Sequence, residues 1–196
     1  MLPTYLVYFG LALQLVGQIS YIRTIFYGKT RPNIITWFMW MVAPFIGFFF
    51  QLKAGAGLSV LPVFMAGFGP MLVIIFSIFH HNSFWKLNSF DLWCGFLSAI
   101  ALIFYAVTHN LGVSIFFAIL SDALAGVPTY IKSWTNPESE NALIYIFALI
   151  SNVIGLLTLT VFSFSTVSFG LYIAVQCAGI ILCIYRKQIT SIFSRT

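Results

Sequence analysis

Charge is what this sequence has least of. Of its 196 residues 7% are charged and 61% are hydrophobic, with a mean hydropathy of +1.01. A soluble domain carries roughly 25% charged residues, so water is excluded as the chain's main solvent. Only four acids are present, and no two share an apolar run, which excludes paired-carboxylate chemistry inside a membrane. The three histidines sit at the ends of apolar runs, and no His-Glu-x-x-His occurs, so the zinc-hydrolase pattern is missing. No Ser-His arrangement stands out. The last apolar run has no lysine for a Schiff base, which disfavours a retinal-type receptor. A channel would need a filter-like loop or charged rings, and neither is evident. Cys94, Cys177 and Cys183 all fall inside apolar runs, without metal-ligand or disulfide spacing, and are expected to be packing residues. No enzyme activity, catalytic residue, metal site or cofactor is therefore expected. The absence of an Asn-x-Ser/Thr sequon favours a bacterial inner membrane. The chain's start has no basic n-region and no small-residue cleavage site, so residues 2–26 read as a first span rather than a removed signal peptide.

Long apolar runs fill the space that charge leaves. They recur at about 20 residues, the length that crosses hydrocarbon as a helix. They are apolar all round, whereas membrane strands would alternate over roughly ten residues. The expected fold is all-α and polytopic, with seven transmembrane helices over 2–26, 34–52, 58–79, 91–108, 111–131, 142–162 and 167–185. The breaks carry turn chemistry: Gly28 to Asn33, Ala54 to Gly57, His80 to Phe90, His109-Asn110, Asn136 to Glu140, and Ser163 to Ser168. The net charge of +5 does not mark a nucleic-acid surface, because the basic residues are scattered between apolar runs. With the N-terminus outside, eight of the nine lysines and arginines fall on the cytoplasmic side, and only Lys53 lies outside. That is the positive-inside bias, and it needs an odd number of spans with a cytoplasmic C-terminus.

The chain also repeats itself. Tyr21-Ile22-Arg23 recurs as Tyr130-Ile131-Lys132, 109 residues on. After a one-residue adjustment in the loop, Asn33 pairs with Asn141, Gly47 with Gly155 and Ala66 with Ala174, each 108 residues apart. Two three-span units in the same orientation need one span between them, and the fourth supplies it. The expectation is a parallel 3+1+3 repeat: a first three-helix unit over 1–80, a linker helix over 81–110, and a second unit with a short basic tail over 111–196. Gly17-Gln18-Ile19-Ser20-Tyr21-Ile22-Arg23, followed by Lys29-Thr30-Arg31-Pro32-Asn33 and Trp37, resembles the motif of the SWEET/PQ-loop (MtN3-like) transporter superfamily. That motif has Pro-Gln near the end of a first helix, a short basic loop and a second helix. Val127-Pro128-Thr129-Tyr130-Ile131-Lys132 looks like its second copy. Gly17 stands where the family has proline, and Thr129 where it has glutamine. The resemblance implies solute transport: sugars in SWEET-like members, amino acids or other solutes in related carriers, some with protons.

In a repeat-built carrier the site lies near mid-membrane between the two units. The middle of each repeat span holds a polar or helix-breaking residue: Gln14 with Gln18 one turn on, Pro44, Gly67 to Pro70, Asp122 beside Ser121, Asn152 beside Ser151, and Gln176. Under the repeat, Gln14 lies beside the Asp122 equivalent, and Pro44 is the equivalent of Asn152. A carboxyl at the centre of a span costs about 2.5–3.5 kcal/mol on insertion scales, so Asp122 should face the interior and have a partner. Held without a cation, a buried carboxyl favours its neutral form, which suits proton carriage; a structural acid bonded to Ser or to backbone is the plainer reading. The amides of Gln14, Gln18, Asn152 and Gln176 offer donors and acceptors. Each alone could be interhelical glue, worth about 0.6 kcal/mol; together at one depth they suit a hydroxyl- or amide-bearing solute. Trp40 could stack on a sugar ring or act as a gate, while Trp37, Trp85, Trp93 and Trp134 read as interface anchors. Pro44, Pro70 and Pro128, with Pro62, are candidate hinges or static kinks. His80-His81 reads as a solvated pair, not a metal site.

The expected function is a carrier for a small polar solute, sugar-like in the first instance, working by alternating access, with proton coupling through Asp122 as a variant. Its partners are the solute and the bilayer, and an assembly of copies is compatible with it. The alternative is a non-transporting receptor or sorting protein on the same seven-helix scaffold.

Overall fold

The computed structural model describes residues 2–79, 84–108 and 110–193. His80, His81, His109 and Arg195 lie outside the described residues. Among the described residues the chain is all-helical, with seven α-helices and no strand. They are α1 (Leu6–Phe26), α2 (Ile34–Lys53), α3 (Leu61–Ile78), α4 (Ser89–Val107), α5 (Leu111–Thr135), α6 (Ala142–Thr158) and α7 (Phe164–Phe193). A 3-10 turn over Gly57–Val60 leads into α3.

The helix ends follow from local chemistry. Asn33, Asn110 and Asn141 are N-caps whose side chains accept from backbone N–H groups of the first turns of α2, α5 and α6, satisfying donors that a helix start leaves free. At the start of α4, Asn88 and Asp91 bond each other's backbone N–H at 2.9 Å, a reciprocal capping box. Helices α1 and α2 both end in a left-handed glycine, Gly28 (φ 66°) and Gly55 (φ 91°). Gly28 N–H bonds Ile25 O and Lys29 N–H bonds Thr24 O; Gly55 N–H and Ala56 N–H do the same with Leu52 O and Gln51 O. These are Schellman closures, and only glycine adopts that φ without a Cβ penalty. The expected spans each meet one helix, with shifted ends: α1 starts at Leu6 rather than at residue 2, and α5 runs on to Thr135 rather than stopping at 131. Helix α6 stops at Thr158, four residues early, because Leu159 turns extended (ψ 135°). Helix α7 starts at Phe164 and runs on to Phe193.

Among the described residues four segments are long and apolar enough to cross a membrane: Ile34–Lys53, Gly57–Ile78, Leu111–Thr135 and Phe164–Ile189. The distribution of side chains is inverted relative to a soluble protein. Phe49, Ile78, Phe162 and Val175 are more than 60% exposed, whereas Gln14, Gln18, Gln51, Asp122 and Asn152 are buried. Apolar groups facing outward and amides facing inward make sense with lipid as the solvent. The chain is a helical membrane protein.

Helix α1 packs on α3 and α6, α2 on α3 and α5, and α7 on α5 and α6, while α4 lies along α5. One end of the bundle gathers Arg23, Asn33, Lys132 and Asn141, the other the C-terminus of α2 and the N-terminus of α7, tied by Gln51 Nε2 donating to Thr166 O at 2.7 Å.

Candidate functional site: an acid-bearing cavity between the helices

A cavity of about 60 Å³ lies inside the bundle. Of the residues the sequence singled out, Gln14 and Gln18 of α1, Trp40 and Pro44 of α2, Pro70 of α3, Asp122 of α5 and Gln176 of α7 line it. Asn152 does not. It lines a second, smaller void of about 10 Å³ with Gln51, Ser59 and Thr166, and its Nδ2 donates to Ala148 O at 2.9 Å. Pro128 sits further along α5, towards Lys132, beside a different recess.

Local geometry fixes the orientation of each wall residue. Gln14 Nε2 donates to Pro62 O (3.3 Å) and Gln18 Nε2 to Met65 O (3.0 Å), so α1 is tied to α3 through backbone carbonyls. Gly69 makes room for Gln18, whose side chain would collide with a Cβ there. Trp40 Nε1 donates to Asp122 O at 3.2 Å, which holds the indole of α2 against α5. Gly126, one turn along α5 from Asp122, leaves space for Trp40 and Gln176; a Cβ would come within 3.3 Å of Trp40 and 3.0 Å of Gln176 Nε2.

Asp122 is 2% exposed. Its Oδ2 accepts from Tyr172 OH at 2.8 Å and from Gln176 Nε2 at 3.1 Å. Both donors are neutral. Its Oδ1 is buried without a hydrogen-bond partner, as are Gln14 Oε1 and Gln18 Oε1. The site is thus a carboxyl held on one oxygen and open on the other, in a pocket whose described lining has no lysine, arginine or histidine.

Two groups were not singled out from the sequence. Tyr172 stands four residues before Gln176, on the same face of α7, and its hydroxyl reaches Asp122. The other is the charged cluster at the Lys132 end. Glu140 is buried and pairs with Lys132, and its Oε2 accepts from Tyr21 (3.2 Å) and Tyr145 (3.1 Å). Lys132 also donates to Arg31 O and lies over the Trp85 ring at 5.4 Å. Trp37 corrects an expectation. It is not an outer-belt residue: it is 2% exposed, packed on Tyr21 with ring centroids 4.7 Å apart, and it lines the cavity. Trp93 and Trp134 are exposed, and Trp134 carries the Arg186 guanidinium over its ring.

The fold and site define a helical membrane protein with a small, mainly apolar cavity whose lining includes one buried acid and three glutamines. No protein-family model, no curated protein and no solved structure matches the chain.

Proposed function

We propose that the chain is a seven-span carrier for a small polar solute, built as a parallel 3+1+3 repeat of SWEET/PQ-loop type and working by alternating access around the Asp122 cavity. The observation that carries the reading is the cavity itself. It lies between α1–α3 and α5–α7, and its wall presents polar atoms that the protein leaves unpartnered.

The packing supports the repeat. Exchanging α1, α2 and α3 for α5, α6 and α7 turns the α1–α3, α2–α3 and α1–α6 packings into α5–α7, α6–α7 and α5–α2, all of which occur. Close approaches repeat in the same way. Gly17 of α1 faces the α6 backbone at Leu143 and Ile144, and Gly126 of α5 faces Trp40 of α2. Gly47 faces Phe169 of α7, and Gly155 faces Ser59 and Pro62 at the start of α3. Asn33 and Asn141, paired in sequence, both act as N-caps. Two half-bundles meeting at this cavity can rock about it, and Pro44 and Pro70, both in helix interiors and on the cavity wall, are placed to act as hinges.

Length supports three crossings beyond the four long apolar segments. Helix α1 has 21 residues, α4 has 19 and α6 has 17, or about 26–32 Å at 1.5 Å per residue, and a span needs about 17–25 residues for a hydrocarbon core of about 30 Å. Gln14, Gln18 and Arg23 dilute the hydropathy of α1. The clustering of Arg23, Arg31 and Lys132 at one end supports a cytoplasmic placement for that end, with the N-terminus outside.

The test is uptake into proteoliposomes, screening sugars, amino acids and vitamins at two internal pH values. Saturable uptake by the wild type, at least tenfold slower in Asp122→Asn, is expected. Loss of a pH response in that variant would add proton coupling to the reading. No uptake of any solute by folded protein would move the assignment to a receptor on the same scaffold.

A further inference from the structure

We infer that the solute this cavity takes carries a primary ammonium group. The inference rests on the carrier reading and narrows its substrate class from small polar solutes to small organic amines.

Residues of the cavity wall carry acceptors that the protein leaves unsatisfied. A backbone carbonyl can only accept, so the bonds to Pro62 O and Met65 O fix the amides of Gln14 and Gln18 with their Nε2 groups engaged. Their Oε1 atoms are the free ends, and neither has a partner. Asp122 Oδ1 is the third free acceptor. The wall also carries donors, namely the second N–H of each of these two glutamine amides and the indole N–H of Trp37, but among the described lining residues Asp122 supplies the one anionic acceptor. An ammonium group presents three donors and no acceptor.

Charge points the same way. A buried carboxylate needs a cation or a proton, and only neutral donors reach Asp122. A ligand that brings its own positive charge completes the pair.

The rest of the wall is aromatic. Trp37, Trp40 and Tyr145 line the cavity, with centroids 5.7 Å apart for Trp37–Trp40 and 6.4 Å for Trp40–Tyr145, in edge arrangements. Aromatic faces beside a carboxylate favour a desolvated cation. The cavity, about 60 Å³, matches a compact head group or about four or five waters, at roughly 10–15 Å³ per water position.

The test uses purified full-length protein in detergent and three probes: ethanolamine, its neutral counterpart ethylene glycol, and glucose. Binding is read by calorimetry and tryptophan fluorescence, and uptake of labelled ethanolamine is then measured in proteoliposomes. Ethanolamine should bind saturably and ethylene glycol should not. Asp122→Asn should weaken ethanolamine at least tenfold, and Gln14→Leu severalfold. Glucose binding without ethanolamine binding, equal binding of ethanolamine and ethylene glycol, no binding of any probe, or full ethanolamine binding by Asp122→Asn would each overturn the inference. Should Asp122→Asn fail to fold, the ethanolamine and ethylene glycol pair on the wild type decides. Ethanolamine binding without uptake would leave the amine site standing and sink the carrier reading; glucose-only uptake would do the reverse.

Discussion

Two buried acids divide this molecule. Glu140 sits at the basic end with a lysine on one oxygen and two tyrosine hydroxyls on the other. Asp122 sits mid-bundle with two neutral donors on one oxygen and nothing on the other. The first is a finished structure. Its cation comes from α5, its hydroxyls from α1 and α6, and the pair ties both halves of the bundle together at one end. The second is unfinished, and it faces the cavity. In a low-dielectric interior the difference matters, because an unpaired buried charge is far more costly than a paired one. We take the finished acid as the one that holds the fold, and the open one as the one that meets the solute.

That contrast can be broken at either acid. Lys132→Met leaves the Glu140 carboxylate buried without its cation and should destabilise the protein by about 3–5 kcal/mol, read by thermal or denaturant unfolding in detergent. Adding Glu140→Gln should recover more than half of that loss, since a glutamine oxygen still accepts from Tyr21 and Tyr145. A small effect of Lys132→Met would mean the cluster is not structural, and the two acids would lose their distinction.

A milder probe tests whether the halves interlock outside the cavity. A Cβ on Gly155 would lie 2.7 Å from the Ser59 carbonyl oxygen, and backbone has little freedom to move. Gly155→Ala should cost about 1–3 kcal/mol in the same assay. Asn33→Ala and Asn141→Ala each remove an N-cap and should cost about 1 kcal/mol. Their effects should be similar if the two positions are equivalents in a repeat, and a large disparity would count against it. No loss is expected at the cavity. Asp122→Asn keeps an oxygen for Tyr172 and Gln176 and removes a buried carboxylate that has no cation, so stability should hold or rise while ligand binding falls. Heavy destabilisation would make Asp122 a structural acid.

The sequence carried the cavity better than the charged cluster. Asp122 was legible because a carboxyl in the middle of an apolar run has few reasons to be there. Gln14, Gln18 and Gln176 were legible for the same reason, and the structure brings all four to one cavity. Asn152 had the same signal and lies in the neighbouring void, because depth along a helix says nothing of which face a side chain takes. Tyr172 was hidden among 9 tyrosines and 22 phenylalanines, although its four-residue spacing from Gln176 puts both on one face. Glu140 reads as a solvated loop acid; only the return of the 136–141 segment onto α1 and α5 buries it. The same tertiary packing draws Trp37 inward from an interface position. The breaks in apolarity placed the starts of α2, α5 and α6, and the early end of α6 was not legible, since residues 159–162 are as apolar as those before them.

Alternating access is the central claim, and Cys177 offers a built-in reporter, since it lines the cavity. With Cys94 and Cys183 replaced by alanine, a membrane-impermeant maleimide is applied to right-side-out and to inside-out vesicles. The account predicts that Cys177 reacts from both faces, and that a transported solute slows the reaction from each. Reaction from one face only, with no change on adding any solute, would contradict a carrier and leave a receptor open to a single side.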